Sequence, residues 1–340
     1  MQKKIRFVIL GVGHIGKRYI KIIKNNNETE LVALIDIKSK DLLRINNNDL
    51  PFFNSLEEFL ENRLPADVVI IATPNGLHAT HAVKCLKNKF DVVIEKPVAL
   101  KSADVLRIIN CAKEQNKKVF AVMQNRYSPP AIWVKDIIDK DILGEIFMVQ
   151  LNCYWNRDER YYTNDSWHGN KELDGGTLFT QFSHFIDMLF WLFGNIKNIN
   201  GRIINYNHSQ LTDFEDNGIV AFEIEKGGLG SLNFSTSVWD KNMESSMTII
   251  GEKGSIKIGG QYMEKVEYCH IKDYNFVDLE ESNKSYDYGA YKGSADNHQY
   301  IIDNVINVLQ HNSQITTTAS EALKVVDIIE KIYASAIQLP

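Results

Sequence analysis

The apolar run Ile5-Arg6-Phe7-Val8-Ile9-Leu10 passes directly into Gly11-Val12-Gly13-His14-Ile15-Gly16. A loop with glycine at its first, third and sixth positions, set between two patterned segments, admits few folds. The run before it is short and nearly all apolar, as a parallel strand covered on both faces must be. After it, Ile15, Tyr19, Ile22 and Ile23 recur at helical spacing. A second apolar run, Leu31 to Ile35, ends in Asp36, twenty residues beyond Gly16. Strand, glycine loop, helix, strand and terminal acid together make a dinucleotide-binding βαβ unit. Gly11 permits the tight turn, Gly13 lets the backbone approach a pyrophosphate, and Gly16 lets helix and strand pack closely. The pyrophosphate then lies on the free N–H groups and positive end of the helix. A carboxylate at Asp36 accepts the ribose hydroxyls of NAD and repels the 2′-phosphate of NADP, and no arginine follows at Ile37 or Lys38. The expected cofactor is therefore NAD, held by Gly11, Val12, Gly13, His14, Ile15, Gly16, Asp36 and Ile37.

The βα rhythm continues. A buried strand from Asp67 to Ala72 leads to Thr73-Pro74-Asn75, and His78 and His81 open a helix through Leu86. Asp91 to Ile94 leads to Glu95-Lys96-Pro97, and Lys118 to Met123 leads to Gln124-Asn125-Arg126. Ligands of open parallel sheets bind beyond the carboxyl ends of the strands. Thr73, Pro74, Asn75, His78, Glu95, Lys96 and Gln124 are expected to line the cofactor crevice, with Asn125, Arg126 and Tyr127 on the substrate side. Lys96, fixed between an acid and a proline at a strand end, is the candidate catalytic residue of this part.

After Pro129-Pro130 the rhythm stops, which places an NAD-binding Rossmann domain at 1–124 and a substrate-binding and oligomerisation domain at 125–340. The fold class is α/β plus α+β: a Rossmann fold, then a domain built on a large, mainly antiparallel open sheet. Strand-like runs at 146–154, 196–205, 218–224, 230–238, 246–250, 255–259 and 265–271 supply that sheet. One helix is expected from about Gly176 to Phe193. On it Thr180, His184 and Asp187 fall at i, i+4 and i+7, on one face. His184 is the proton-transfer candidate, Thr180 would orient it or the substrate, and Asp187 reads as a structural partner. The stretch from Tyr154-Trp155-Asn156-Arg157 through Tyr161-Tyr162 to Trp167-His168-Gly169 mixes rings and bases suited to stacking and to gripping an anion. Arg157 and Tyr162 are assigned to substrate, Trp167 to cofactor, and Arg126 with Arg157 to a diphosphate or carboxylate. A Tyr- and Gly-rich loop from Tyr286 to His298 is a candidate lid. The final helices are expected at 297–309 and about 320–337, the second opened by the capping box Thr318-Ala319-Ser320-Glu321, and the last one is free to pack back on the first domain.

Composition narrows the remaining classes. With 340 residues and a net charge of −5 there is no general basic field, so no nucleic-acid partner is expected. No stretch reaches the roughly 18 apolar residues that a membrane span needs, and the first apolar run is too short for a signal-peptide core. A soluble, cytoplasmic protein is expected. Cys85, Cys111, Cys153 and Cys269 fit neither a disulfide framework nor a zinc site, so buried free thiols and no metal are expected.

Taken together, GVGHIG, ATPNGLH, EKPVAL and GG…H-x-x-D resemble the glucose-fructose oxidoreductase / inositol dehydrogenase / MocA family over nearly the whole chain. The resemblance implies that Lys96 and His184 face the carbon that loses hydride. Many sugar and inositol dehydrogenases of the family carry an aspartate four residues before that histidine, where this chain has Thr180. WNRDERYY, SWHG and DGG before the Q-x-S-H helix resemble the nucleotide-sugar 3-dehydrogenases of the family, some of which have an asparagine there. That branch implies a UDP-N-acetylglucosaminuronate substrate, a role in making 3-amino sugars of bacterial surface polysaccharides, and a homodimer or homotetramer. The sequence leaves open a dehydrogenase of a free sugar or inositol, and a non-catalytic dinucleotide-binding regulator.

Overall fold

A computed structural model describes residues 3–45, 50–163, 166–287 and 292–338. The chain divides into two compact units. The first comprises the residues up to Val122 together with His298–Val326, and the second Met123–Asn297 with the residues from Asp327 on.

The first unit alternates strand and helix. In order come β1 (Ile5–Leu10), α1 (His14–Asn25), β2 (Thr29–Ile35), β3 (Phe52–Phe53), α2 (Leu56–Asn62), β4 (Val68–Ile71), α3 (His78–Lys87), β5 (Asp91–Ile94), α4 (Ser102–Gln115) and β6 (Val119–Ala121). The six strands pair in the order β3-β2-β1-β4-β5-β6, all parallel. That is the strand order of dinucleotide-binding sheets. Every residue of β4 and β5 is buried, which explains their unbroken apolar sequence: helices cover both faces. The sequence reading assigned neither β3 and α2 nor α4. α2 announces itself only locally, through the Ser55 side chain, which accepts from the Glu58 N–H at 3.1 Å.

In the second unit follow α5 (Pro129–Asp139), β7 (Ile146–Tyr154), α6 (Lys171–Asp174), α7 (Thr177–Thr180), α8 (Ser183–Phe193), β8 (Ile196–Ile204), β9 (Asn217–Ile224), β10 (Leu229–Ser235), β11 (Glu244–Gly251), β12 (Gly254–Gly259) and β13 (Lys265–Ile271). β14 (Ser285–Asp287) and β15 (Lys292–Ala295) then form a small antiparallel pair. Residues 288–291 of the candidate lid lie outside the described residues. The chain ends in α9 (His298–His311), α10 (Ala319–Ser335) and β16 (Ala336–Gln338). The expected capping box opens α10: the Glu321 N–H donates to Thr318 Oγ1 at 3.2 Å, and Glu321 Oε2 accepts from the Thr318 N–H at 3.0 Å.

The large sheet runs β13-β12-β11-β7-β10-β9-β8-β16. It is mixed: β7 with β10 and β8 with β16 are parallel, and the other neighbours are antiparallel. Alternate residues such as Val149, Leu151, Phe222, Leu232, Phe234 and Met247 face a buried layer. The ring of Phe182 packs on this layer 6.0 Å from Phe234. Phe147, Met148, Ile219 and Leu229, on the same strands, are exposed.

The expected single helix over 176–193 is a correction. It is two pieces, α7 and α8, separated at Gln181 and Phe182. The Phe182 N–H reaches back to the Thr177 carbonyl at 3.2 Å and the ladder restarts with Phe185 N–H on the Phe182 carbonyl at 3.0 Å. The four cysteines are free, as expected; Cys85, Cys111 and Cys153 are buried, whereas Cys269 is only partly so.

Candidate active site

In the first unit the backbone shapes the site. Gly11 has φ +94°, and a Cβ there would meet the Ala72 carbonyl oxygen at 2.4 Å. A Cβ on Gly16 would meet the Gly11 oxygen at 2.1 Å. Gly13 is different: a Cβ there would meet nothing within 4 Å. It precedes α1 without a side-chain cap, and the first turn carries no acid. An open space beside Gly13, with no side-chain cap and no acid at the helix start, is what an anion site there requires. Asp36 lies against the loop. Its Oδ2 accepts from the Val12 N–H at 2.7 Å and its Oδ1 from the Lys38 N–H at 2.8 Å. Each oxygen keeps a lone pair for a further donor. Ile37 beside it is 87% exposed, an apolar surface unusual for a residue of its type. The residues present fit NAD.

Farther along the sheet, Thr73 Oγ1 contacts His81 Nδ1 at 3.0 Å, and Pro74 leads into a short 3-10 turn, Asn75–Leu77, with Asn75 buried. His78, expected at the cofactor crevice, is buried, and its two ring nitrogens stand 2.7 Å from the Pro97 and Thr73 carbonyl oxygens. It staples the ends of β4 and β5 together. Glu95 is also turned inward. It is buried, and its Oε1 accepts from Tyr19 Oη at 2.9 Å and lies 3.3 Å from His298 Nε2. Its Oε2 accepts from the Lys96 N–H at 3.2 Å. Burial opposes ionisation, yet His298, Tyr19 and the Lys96 charge hold this carboxyl at about 2. Lys96 itself is half-buried at the end of β5.

In the second unit side chains hold side chains. His184, at the start of α8, is buried, and its Nε2 lies 3.1 Å from Gln124 Nε2. Gln124, expected to face the cofactor, faces His184 instead, and its carbonyl accepts from Asn297 Nδ2 at 3.2 Å. Thr180 does not share a continuous helix face with His184. It closes α7, and its hydroxyl donates to the Asp174 carboxylate, with the Asp174 carbonyl 2.9 Å away. Asp174 is wholly buried and also accepts from the Gly169 N–H at 2.9 Å. A hydroxyl that donates to a carboxylate offers only lone pairs elsewhere.

Arg126 and Arg157, expected to hold an anion, each have protein partners. Arg126 forms a bidentate pair with Asp187, Nε to Oδ2 at 2.9 Å and an Nη to Oδ1 at 2.5 Å, with both side chains buried. Asp187 is thus the structural partner the sequence suggested. Arg157 is buried, with its Nε donating to Gln181 Oε1 at 2.9 Å and its guanidinium 4.8 Å from the Trp155 ring centre and 5.0 Å from that of Tyr161. Gln181 passes the chain on to Tyr161 Oη at 2.9 Å, and Tyr161 to His168 Nδ1 at 3.0 Å. Tyr162 is buried with Tyr161 and Phe214 in a small apolar cluster and is no surface ligand. Trp167 is half-buried, its ring 3.9 Å from that of His168. Asn125, Arg126 and Tyr127 lie on the 3-10 turn Gln124–Tyr127. Asn125 Oδ1 and Ser183 Oγ are buried without a hydrogen-bond partner among the described residues. Buried polar atoms of that kind are rare unless something else meets them.

Four participants escaped the sequence reading. Arg18 and Tyr19 looked like one charged and one apolar position of a helix. His298 was only the end of a loop, and Asp174 entered only as part of the DGG motif, with no role assigned to it.

Residues 5–123 match the oxidoreductase family with an NAD-binding Rossmann fold, and residues 132–257 match the GFO/IDH/MocA C-terminal domain. The chain belongs to the GFO/IDH/MocA oxidoreductase family. Among solved structures of the family, the WlbA dehydrogenase from Bordetella pertussis, in complex with NADH and UDP-GlcNAcA, superimposes with a TM-score of 0.88. It is 30% identical, and the match covers 98% of this chain and 96% of that one. The WlbA dehydrogenase from Chromobacterium violaceum, also with NADH and UDP-GlcNAcA, gives 0.88 at 28% identity, covering 98% and 94%. The 2,7-anhydro-N-acetylneuraminate hydratase of Escherichia coli is 27% identical over 76% of this chain and 68% of its own length. This GFO/IDH/MocA member is accordingly an NAD-binding oxidoreductase with a second, sheet-built domain, and no helix among its described residues is long and apolar enough to cross a membrane.

Proposed function

We propose that this oxidoreductase uses NAD to oxidise the 3-hydroxyl of UDP-N-acetylglucosaminuronate, a step toward 3-amino sugars of bacterial surface polysaccharides. The observation that carries the proposal is the end-to-end likeness to two dehydrogenases solved with UDP-GlcNAcA and NADH, one of them at 30% identity. NAD, when bound, supplies the hydride acceptor. The α1 N-terminus and Gly13 receive its pyrophosphate, and Asp36 receives a ribose.

His184 is the general base. The Gln124 amide nitrogen lies 3.1 Å from His184 Nε2, and in the tautomer with its lone pair there the neutral ring takes a proton at Nε2. The sugar hydroxyl takes the place of that donor and passes its proton to Nε2. Lys96 donates to the oxygen as negative charge develops there. Thr180, its proton committed to Asp174, accepts from a sugar hydroxyl, and Asn125 Oδ1 accepts from a second donor. Arg126 and Arg157 brace the surrounding segments. The exposed Phe147, Met148, Ile219 and Leu229 of the large sheet support a homo-oligomer, and light scattering showing a monomer would remove that part of the proposal.

The test is to follow NADH formation from UDP-N-acetylglucosaminuronate with Lys96→Met and His184→Ala. Each is expected to lower kcat by about 10²–10⁴-fold. Turnover near the parent rate in both variants would refute the assignment, and turnover of free sugars or inositol in preference to the UDP-sugar would refute the substrate.

A further inference from the structure

Two oxygens of one residue converge on the Thr180 hydroxyl. Thr180 Oγ1 donates to Asp174 Oδ1 and stands 2.9 Å from the Asp174 carbonyl oxygen. Asp174 is 0% exposed, and its other carboxylate oxygen accepts from the Gly169 N–H at 2.9 Å. The turn between them is built to hold this shape. Asn170 caps α6, its side chain accepting from the Glu172 and Leu173 N–H groups at 3.0 Å each. Gly175 closes α6 at φ +93° and Gly176 follows at φ +123°, where a Cβ would run into the Tyr333 hydroxyl. The first turn of α7 is then pinned from outside: the Leu178 N–H donates to Tyr333 Oη and the Thr177 N–H to Glu215 Oε1, both at 3.1 Å.

A hydroxyl has one proton and two lone pairs. Whichever Asp174 oxygen takes the proton, none is left for a third group, so toward a ligand Thr180 acts as an acceptor. Donating to a carboxylate also polarises the hydroxyl and strengthens it in that role. Thr180 keeps 7% of its surface exposed and lies four residues before His184. Asp174, with no exposed surface, acts on a ligand through Thr180. A ligand that brings a hydroxyl or amide N–H to Thr180 gains a hydrogen bond. One that brings an ether oxygen, a carbonyl or fluorine sets lone pair against lone pair, a repulsive element of the kind that separates close analogues.

We infer that Asp174 is a positioning residue that fixes Thr180 as a one-way acceptor, and that the site thereby selects substrates with a hydrogen-bond donor next to the carbon that is oxidised. The inference rests on the proposed reading of Thr180 as a substrate contact. UDP-N-acetylglucosaminuronate has such a donor on each side of its 3-hydroxyl, the 4-hydroxyl and the acetamido N–H. An asparagine at 174 would undo the arrangement without changing its size. Keeping its oxygen on the Gly169 N–H, it turns its amide nitrogen to Thr180 Oγ1 and occupies a lone pair that the substrate needs.

The experiment measures calorimetric affinity for UDP-N-acetylglucosaminuronate in the full-length enzyme holding NADH, a pair that cannot react because the cofactor is already reduced. Parent, Asp174→Asn, Thr180→Val, Thr180→Ser and the double variant Asp174→Asn with Thr180→Val are compared. Asp174→Asn and Thr180→Val should each weaken the sugar about tenfold, with NADH affinity unchanged, and Thr180→Ser, which keeps the hydroxyl, should bind closer to the parent. In the double variant the loss should equal that of Thr180→Val alone, since Asp174 acts through Thr180. Losses that add, or a matching loss of NADH affinity, would show that Asp174 serves the Gly169 turn or the fold at large and would overturn the inference. Two analogues test the selection itself, one with fluorine for the 4-hydroxyl and one with an acetoxy group for the acetamide. The parent should discriminate against one of them by about tenfold and Thr180→Val should not; discrimination against neither, or discrimination that survives in Thr180→Val, overturns it too. A parent that neither binds nor oxidises the UDP-sugar defeats the substrate reading and the inference with it, whereas a parent that does both while Asp174→Asn binds as tightly defeats the inference alone. Should Asp174→Asn fail to fold, the two analogues on parent and Thr180→Val decide.

Discussion

The loop at residues 11–16 and the segment at residues 174–187 both present polar groups for chemistry, but they are built by opposite means. In the loop the backbone makes the site: Gly11 and Gly16 admit a close approach, Gly13 leaves open space, and α1 begins without a side-chain cap. In the segment one side chain fixes another: Asp174 takes the Thr180 hydroxyl, Arg126 takes Asp187, and Gln124 meets His184. A site made of backbone can lose ligand affinity without losing stability. A site made of interlocked side chains should lose stability with the first partner removed.

The sharpest way to break that contrast is at the buried pair. Arg126→Ala takes the buried guanidinium away from the Asp187 carboxylate, and should lower unfolding free energy by about 3–5 kcal/mol in urea titrations. The double change Arg126→Met with Asp187→Leu should lie closer to the parent. An Arg126→Ala variant as stable as the parent would show that the pair is incidental. Next in size is Asp174→Ala. It strips an acceptor from Thr180 and from the Gly169 N–H, and should cost about 1–3 kcal/mol for each group left unsatisfied, with kcat falling alongside.

Gly13→Ala should behave in the reverse manner. Its φ of −69° suits alanine and its Cβ enters open space, so the melting temperature should hardly move. NAD should bind at least about tenfold more weakly by calorimetry, a loss of about 1.4 kcal/mol. Equal affinity would mean that the pyrophosphate does not approach there. Gly16→Ala, which drives a Cβ into the Gly11 oxygen, should lose both binding and stability.

A last effect concerns pH. Glu215 is buried, receives Tyr333 Oη at 2.6 Å and the Thr177 N–H at 3.1 Å, and anchors the start of α7. Burial pushes its carboxyl up to about 7, against these donors. A carboxyl raised above its unfolded value of about 4.3 binds its proton more tightly when folded. Its contribution is complete below about pH 4 and is lost as pH rises through about 7. The melting temperature of the parent should therefore fall between about pH 5 and pH 8 by a step that Glu215→Gln lacks. Parallel curves for the two proteins would contradict the raised value.

Much of the first unit was legible because its signals are local. A glycine at positive φ, a fully apolar strand and an acid at a strand end each follow from neighbours in sequence, and the Thr318 capping box needs only four consecutive residues. The same local reading went astray where burial changes a residue's partners. Gln124, Arg126, Arg157 and Tyr162 were read as ligand groups from their types alone, and the sequence did not show the protein partners that the fold gives each of them. The helix read over 176–193 had the right periodicity, but Phe182 is fully buried between Trp155 and Phe234 and the ladder breaks there.

The sequence by itself determined the dinucleotide loop, the acid that selects NAD, the parallel sheet, and the placing of Lys96 at a strand end and His184 on a helix. These depend on backbone conformation and on periodicity over a few residues. Only the tertiary structure decided what surrounds them. Arg18 and His298 lie 280 positions apart in the chain and meet at 2.9 Å, and Asp174 becomes a partner of Thr180 only because the chain turns back between α6 and α7. Burial is what gives such pairs their strength, since a charge taken out of water must find its partner inside the protein. No stretch of sequence read on its own carries that requirement.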